Sequence, residues 1–155
     1  STASCPWPCI VAAFVAAAAC GSDSDGVNAD ITVTFDGEQC EIEGPAELDP
    51  GQHTFLFIDE ADRSAEMWVR QLVDDVTYDE HIEYLEEQGG PGVYITKPEW
   101  VATVPQYAPE KQLADGQHLY SHDLPADGLF SYTIGAEDVA GTTDEAIWFC
   151  GPLRT

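Results

Sequence analysis

Short runs of alternating apolar and polar residues recur from Ile31 to the end of the chain, with turn residues between them. ITVTF alternates before Asp36-Gly37 and EQCEIEG follows that turn, so residues 31–43 predict a β-hairpin. Further strands are predicted from the segments HTFLFID, EMWVRQLV, GVYIT, EWVATV, QHLYSHDL, LFSYTIG and EAIWFC. Short strands at this spacing predict a mainly β protein built as a sandwich.

One segment follows a helical pattern instead. Thr77 and Glu80 form a T-x-x-E capping box, apolar residues then fall on one face, and Gly89-Gly90-Pro91 ends the pattern. This predicts one short α-helix over residues 79–88. The segment 105–111 has no strand or helix period and is predicted to be a loop.

An uninterrupted apolar run, Ile10–Ala19, precedes the predicted sandwich. It is too short to span a bilayer, which takes roughly 20 residues. It fits the hydrophobic region of a secretory signal, because Ala17 and Ala19 supply the small residues of a cleavage site. We therefore predict that residues 1–19 are a signal peptide, although its usual basic segment is missing. A buried core helix is the alternative.

The residues that end this run, Ala17-Ala18-Ala19-Cys20, resemble the lipobox of bacterial and archaeal lipoproteins. In that family the cysteine becomes the lipid-modified first residue of the mature chain, which implies an anchor on the outer face of the cell membrane. The family most often has Leu three positions before the cysteine, where this chain has Ala17, so conventional signal cleavage is the alternative. Residues 20–30 are then a lipidated cysteine with a polar linker, and residues 31–155 form the domain.

The cysteine count supports export. If Cys5 and Cys9 leave with the signal and Cys20 carries lipid, then Cys40 and Cys150 remain of the five cysteines. Outside the cytosol two such cysteines are expected to form a disulfide. A free, reactive thiol at Cys150 is the disfavoured alternative, because its acidic neighbours oppose a thiolate.

The charge balance argues against nucleic acids and anionic lipids as partners. The 155 residues contain 29 Asp and Glu but 5 Lys and Arg, a net charge of -24. Such a surface repels nucleic-acid phosphates and anionic lipid headgroups. The hydrophobic share of 44% nevertheless indicates a packed core and not a disordered chain, in a single domain. The balance resembles that of proteins from salt-loving microbes, which predicts a halophilic protein.

The order of strands and turns is similar to that of cupredoxin-like domains in secreted and lipid-anchored bacterial proteins. The carrying segments are TVTFDGEQCEIEGP, a Pro-Gly turn, GQHTFLFID, a helical insertion and a last strand IWFCGP, within residues 31–151. The resemblance implies a Greek-key β-sandwich, with an immunoglobulin-like sandwich as the alternative. A blue-copper site needs His and Met ligands close after its cysteine, and none follows Cys150. The ligand pattern is absent, since Met67 lies upstream in a core strand.

No other metal or cofactor site is predicted. His118 and His122 are four positions apart, but they lie on a predicted strand and are therefore separated by about 13 Å. That is too far for two ligands of one zinc ion. His53 and His81 have no convincing partner, so we expect neither a cofactor nor a metal.

No hydrolase or nucleotide-binding motif occurs either, and we expect no enzyme activity. The leading hypothesis is an exported, membrane-tethered, non-catalytic sandwich with a binding or structural role, whose partner is a protein or a small ligand. Candidate partner-binding aromatics are Trp68, Tyr94, Trp100 and Tyr107, with core packing as their alternative role.

Two alternative functions remain. A metal-binding cupredoxin relative would bring His53, His118, His122 and Cys150 together at one end of the sandwich. A small extracellular enzyme would show a deep pocket with a histidine beside a carboxylate.

Overall fold

The computed structural model describes residues 27–62, 64–137 and 145–155, which form two stacked β-sheets and a short helix. The five-stranded sheet has the order β2-β1-β3-β7-β6, and the four-stranded sheet has the order β5-β4-β8-β9. The strands are β1 (Ile31–Phe35), β2 (Cys40–Glu43), β3 (Gly51–Asp59), β4 (Ala65–Leu72), β5 (Val101–Thr103), β6 (Gln106–Ala114), β7 (Gln117–Leu124), β8 (Leu129–Glu137) and β9 (Glu145–Arg154). The predicted mainly β sandwich is confirmed.

The chain changes sheets three times, between β3 and β4, between β5 and β6, and between β7 and β8. The hairpin predicted over residues 31–43 is confirmed, because β1 pairs with β2 in antiparallel register with Phe35 opposite Cys40. β1 also pairs with β3, in parallel. Each sheet therefore needs strands from both halves of the sequence, and the two sheets share one core.

Alternate residues of each strand fill the space between the sheets. Phe35 meets Trp148 edge to face at 4.8 Å between ring centroids, and Phe55 meets Tyr132 at 6.0 Å. These rings come from opposite sheets. The core also contains Ile31, Val33, Phe57, Met67, Val69, Phe130, Ile134 and Leu153, each at most 2% exposed. The placement of Met67 in the core is as predicted.

A disulfide joins the two sheets at one side of the sandwich. Cys40 lies on β2 and Cys150 on β9, with their Cα atoms 6.3 Å apart, and the bond closes a sequence separation of 110. The predicted pairing is confirmed. Cys150 is therefore bonded to sulfur at the position where the cupredoxin resemblance would put a copper ligand.

Helix α1 (Tyr78–Glu87) packs on the outer face of the four-stranded sheet. The predicted capping box is present: the Thr77 hydroxyl accepts from the Glu80 amide at 3.1 Å, and the Glu80 carboxylate accepts from the Thr77 amide at 3.0 Å. The helix lies one residue earlier than the predicted range 79–88. His81 is buried beneath it and stacks on Phe149 of β9 at 3.8 Å.

The loop predicted over residues 105–111 is wrong, since β6 occupies most of that segment. Every β6 residue except Ala108 is exposed, and the pairing with β7 contains register shifts. An edge strand exposed on both faces has no alternation to reveal it, and it tolerates Pro109.

The strand predicted from GVYIT is also wrong. Gly92 has a φ of 89°, and only an isolated bridge joins Val93 to Ile147 of β9. The chain then continues through Lys97 along the outer face of the four-stranded sheet.

The predicted signal and Cys20 lie outside the described residues. The end of the predicted linker already contacts the sandwich, because the Asp30 amide donates to the Thr54 carbonyl at 2.9 Å and the Thr54 hydroxyl donates to the Asn28 carbonyl at 3.0 Å. Across the described part of the chain, no helix combines the length and apolarity needed to cross a membrane.

Candidate binding site around Trp68

Successive side chains of β4 point alternately into the core and to the outer face of the four-stranded sheet. Met67 and Val69 enter the core, whereas Glu66, Trp68 and Arg70 lie on the outer face of the four-stranded sheet. β5 pairs with β4 only at Arg70, Gln71 and Leu72. The earlier residues of β4 therefore lie at an edge that β5 leaves open, next to Trp68.

Gly135 provides space for the Trp68 indole on this face. A Cβ at Gly135 would lie 2.8 Å from the Trp68 ring and 3.0 Å from the Glu145 carboxylate. The Arg70 guanidinium carbon lies 5.5 Å from the Trp68 ring centroid, and its Nη1 donates to the Thr103 hydroxyl at 3.2 Å. A cation over an indole is a favourable contact, so Trp68 and Arg70 form a preorganised pair.

The first of two depressions at this pair lies between the sheets, and we call it the inter-sheet groove. It has a volume of about 350 Å³ and is partly open to solvent. Its polar lining comes from both sheets and consists of Glu66, Arg70, Thr103, Gln106, Glu110, Tyr120 and His122. Acidic and basic groups thus share one groove, at the side of the sandwich away from the disulfide.

Burial shifts the pKa values of three side chains in the inter-sheet groove. The Met67 amide donates to the Tyr120 hydroxyl at 3.5 Å, and burial raises the pKa of Tyr120 to about 12. Burial lowers the pKa of His122, whose Nδ1 lies 3.2 Å from the Val104 carbonyl oxygen. Burial, with the nearby Glu145 and Glu110 carboxylates, raises the pKa of Glu66. At neutral pH the Tyr120 and His122 side chains are therefore uncharged.

The second depression is on the outer face of the four-stranded sheet, and we call it the outer cleft. It has a volume of about 240 Å³. Arg70 and Lys97 line it with Thr133 and Glu145, and the Lys97 ammonium donates to the Val101 carbonyl at 3.3 Å. Its apolar lining consists of Trp68, Ile95, Pro98, Val101, Ile147 and Phe149. The cleft combines two cations with an apolar surface.

The histidines occupy separate environments. His53 and His122 are cross-strand partners in the β3–β7 pairing, but the His53 ring bonds to the Asp49 carbonyl at 2.6 Å and to the Asp30 carboxylate at 3.2 Å. His118 bonds to the Glu110 carboxylate at 2.7 Å. Within the ranges that the structure describes, no three His, Cys, Asp or Glu side chains are grouped as metal ligands.

His81 lies on α1, the helix that packs on the outer face of the four-stranded sheet. Its Nδ1 accepts from the Trp100 indole N–H at 3.2 Å, and no partner of its buried Nε2 is found among the described atoms. Burial lowers the pKa of His81 to about 4. The imidazole is therefore neutral and acts as packing and as an acceptor for Trp100.

The four candidate aromatics do not form one surface. Trp68 is half-buried and lines both depressions. Trp100 is also half-buried, and its ring packs edge to face on Tyr84 of α1 with 5.2 Å between the ring centroids. Tyr94 and Tyr107 are 60% and 41% exposed. Trp68 is the candidate that the fold combines with basic groups at two concave surfaces, whereas Trp100 lines a depression with Glu80 and Glu83.

Arg70, Lys97 and Gly135 belong to the site but were not found by sequence reasoning. A signal for the two cations was present, because only five Lys and Arg residues occur in the chain. Arg70 follows Trp68 by two positions in a predicted strand, which places both on one face. Nothing local to Lys97 or Gly135 indicated that they would come close to Trp68.

Comparisons of the chain with known protein families, with curated proteins and with solved structures find no match.

Proposed function

We propose that this protein is an exported, membrane-tethered binding module without catalytic activity, and that it binds its partner at the surface around Trp68. The inter-sheet disulfide is the observation that carries the export proposal. A bond between Cys40 and Cys150 is stable in oxidising compartments and is rare in the cytosol of mesophiles. The lipobox-like residues before Cys20 supply the tether in this proposal.

The binding role is supported by the site itself. Trp68 and Arg70 are held in contact at 5.5 Å and line two concave surfaces. Binding sites combine apolar and aromatic lining with a few positioned polar groups, and this surface has that composition. Covalent catalysis needs a nucleophile beside a base, whereas the hydrogen bonds of the His122 ring in the groove are made to backbone groups of Val104 and Pro105.

The tether is tested by the intact mass and the cell fraction of the mature protein. We expect the wild-type chain in the membrane fraction, with Cys20 as its first residue and the mass of attached acyl chains. Cys20→Ser should release it from that fraction, whereas the matched control Cys9→Ser should leave it attached. Recovery of an unmodified N-terminal peptide that contains Cys5 and Cys9 would contradict the proposal.

A further inference from the structure

We infer that the outer cleft binds a small monocarboxylate with an apolar or aromatic body, an inference that rests on the proposed binding role and specifies its ligand. The carboxylate would contact Arg70 and Lys97. The body would lie against Trp68, Ile147 and Phe149. These three side chains belong to the outer face of β4 and β9.

Among the described residues, neither cation of the outer cleft forms an ion pair, although the Glu145 side chain lines the same cleft. The ion pairs of the described residues join His53 to Asp30 and His118 to Glu110. The Arg70 guanidinium donates to the Thr103 hydroxyl, and its other N–H groups have no partner among those residues. A half-buried guanidinium without a counter-ion is costly, and a bound anion would remove that cost.

Burial lowers the pKa of Arg70, in agreement with a partly desolvated charge. The lowered value still leaves the guanidinium charged at neutral pH, because arginine keeps its proton in proteins. An incoming carboxylate therefore meets a cation that has already lost part of its hydration. This makes the contact stronger than the same contact at a fully exposed arginine.

The fold also concentrates positive charge at the outer cleft. Two of the five Lys and Arg residues of the chain line it, against 29 Asp and Glu overall. The surrounding field repels anions in proportion to their charge. A ligand with one negative charge is therefore favoured over a phosphate dianion, and Glu145 in the lining strengthens that preference.

Size and surface define the rest of the ligand. The volume of about 240 Å³ equals the share of about eight water molecules and is just below the range for drug-sized ligands. A single aromatic ring with a short acidic arm fits it. Pro98 and Ile95, on the segment that covers the sheet edge, complete the apolar surface around such a ring.

The test is a titration of the full chain with phenylacetate, followed by the indole N–H signals in ¹H–¹⁵N spectra. We expect saturable shifts of the Trp68 signal. Two matched probes separate the contributions: benzyl alcohol keeps the ring without the charge, and acetate keeps the charge without the ring. Both should bind at least about tenfold more weakly, the factor for losing one charged contact or one buried ring.

Arg70→Met keeps the aliphatic stem and removes the charge, so it should weaken phenylacetate at least about tenfold. Lys97→Met should weaken it in the same direction, and this second variant keeps the test valid if Arg70→Met fails to fold. Lys111→Met, on the exposed edge strand β6, is the matched control and should leave the affinity unchanged.

Absence of saturable binding, equal binding of benzyl alcohol, equal binding of acetate, or unchanged affinity in both cleft variants would each overturn the inference. The titration does not involve the membrane. A chain that binds phenylacetate but is not lipidated at Cys20 contradicts the tether alone, and a lipidated chain that does not bind phenylacetate contradicts the cleft alone.

Discussion

Removal of the inter-sheet disulfide should strongly destabilise the fold. The bond closes a sequence separation of 110, and the loop-entropy relation assigns about 4.7 kcal/mol to a loop near that length. We therefore expect Cys40→Ala/Cys150→Ala to lower the free energy of unfolding by about 4 to 5 kcal/mol. Alanine is preferred to serine, because Cys150 is 6% exposed and a hydroxyl there would be buried.

The assay is urea unfolding of the full chain, followed by far-ultraviolet circular dichroism at fixed salt. With a urea slope of about 2 kcal/mol/M for a domain of this size, the unfolding midpoint should fall by about 2 M. Wild-type protein treated with a reductant should unfold at the midpoint of the double variant. Cys20→Ser, which also removes a thiol but leaves the Cys40–Cys150 pair intact, is the matched control and should keep the wild-type midpoint.

Two results would refute this reasoning. One is a loss of less than about 1 kcal/mol, far below the entropy of opening so long a loop. The other is a pair of titratable thiols at Cys40 and Cys150 in the unreduced native protein. The second result would also remove the main support for the proposed export.

Three further predictions concern single interactions and the charge of the whole chain. The pKa of His81 falls from 6.5 to about 4 on folding, so the unfolded chain binds the extra proton and stability is lost as the pH falls from 6.5 towards 4. The part due to His81 should reach about 3 kcal/mol, so His81→Phe should lose about that much less stability than the wild type between pH 7.5 and pH 4, compared by urea unfolding. Thr77→Ala removes the cap of α1 and should cost about 1 kcal/mol, whereas Thr77→Ser should keep most of it, and equal stability of the two variants would show that the cap is unimportant. If the carboxylate excess is an adaptation to salt, NaCl should raise the melting temperature by several degrees between about 0.1 M and 1 M, where the screening length falls from about 10 Å to 3 Å, and a flat or falling trend in calorimetry would contradict it.

Most strands could be predicted because the signal for a half-buried strand is local. The alternation in ITVTF reports which side chains face the core, and the structure has a strand at Ile31–Phe35 with every second residue buried. The loop predicted over residues 105–111 and the strand predicted from GVYIT were wrong because the local pattern there does not reflect burial. β6 is exposed on both faces and shows no alternation, and GVYIT has the composition of a strand but begins at a glycine with positive φ.

The candidate site was predicted only through Trp68. Its partners in the outer cleft are distant in sequence: Lys97 lies on the segment after α1, and Phe149 lies on the last strand. Their proximity depends on the β4–β8–β9 register, which places Trp68 opposite Thr133 and Thr133 opposite Phe149. Register of this kind is set by packing of the whole core and cannot be read from any one segment.

Composition and short-range pattern were thus enough for the β class, the capped helix and the pairing of Cys40 with Cys150, because each depends on neighbouring residues or on a simple count. The concentration of positive charge in an acidic protein was decided by the tertiary fold. Only the stacking of the outer face of one sheet beneath the segment that follows α1 brings Arg70 and Lys97 to the same apolar surface. The sequence shows that Arg70 and Lys97 are cations, but only the packed sandwich determines how close together they lie.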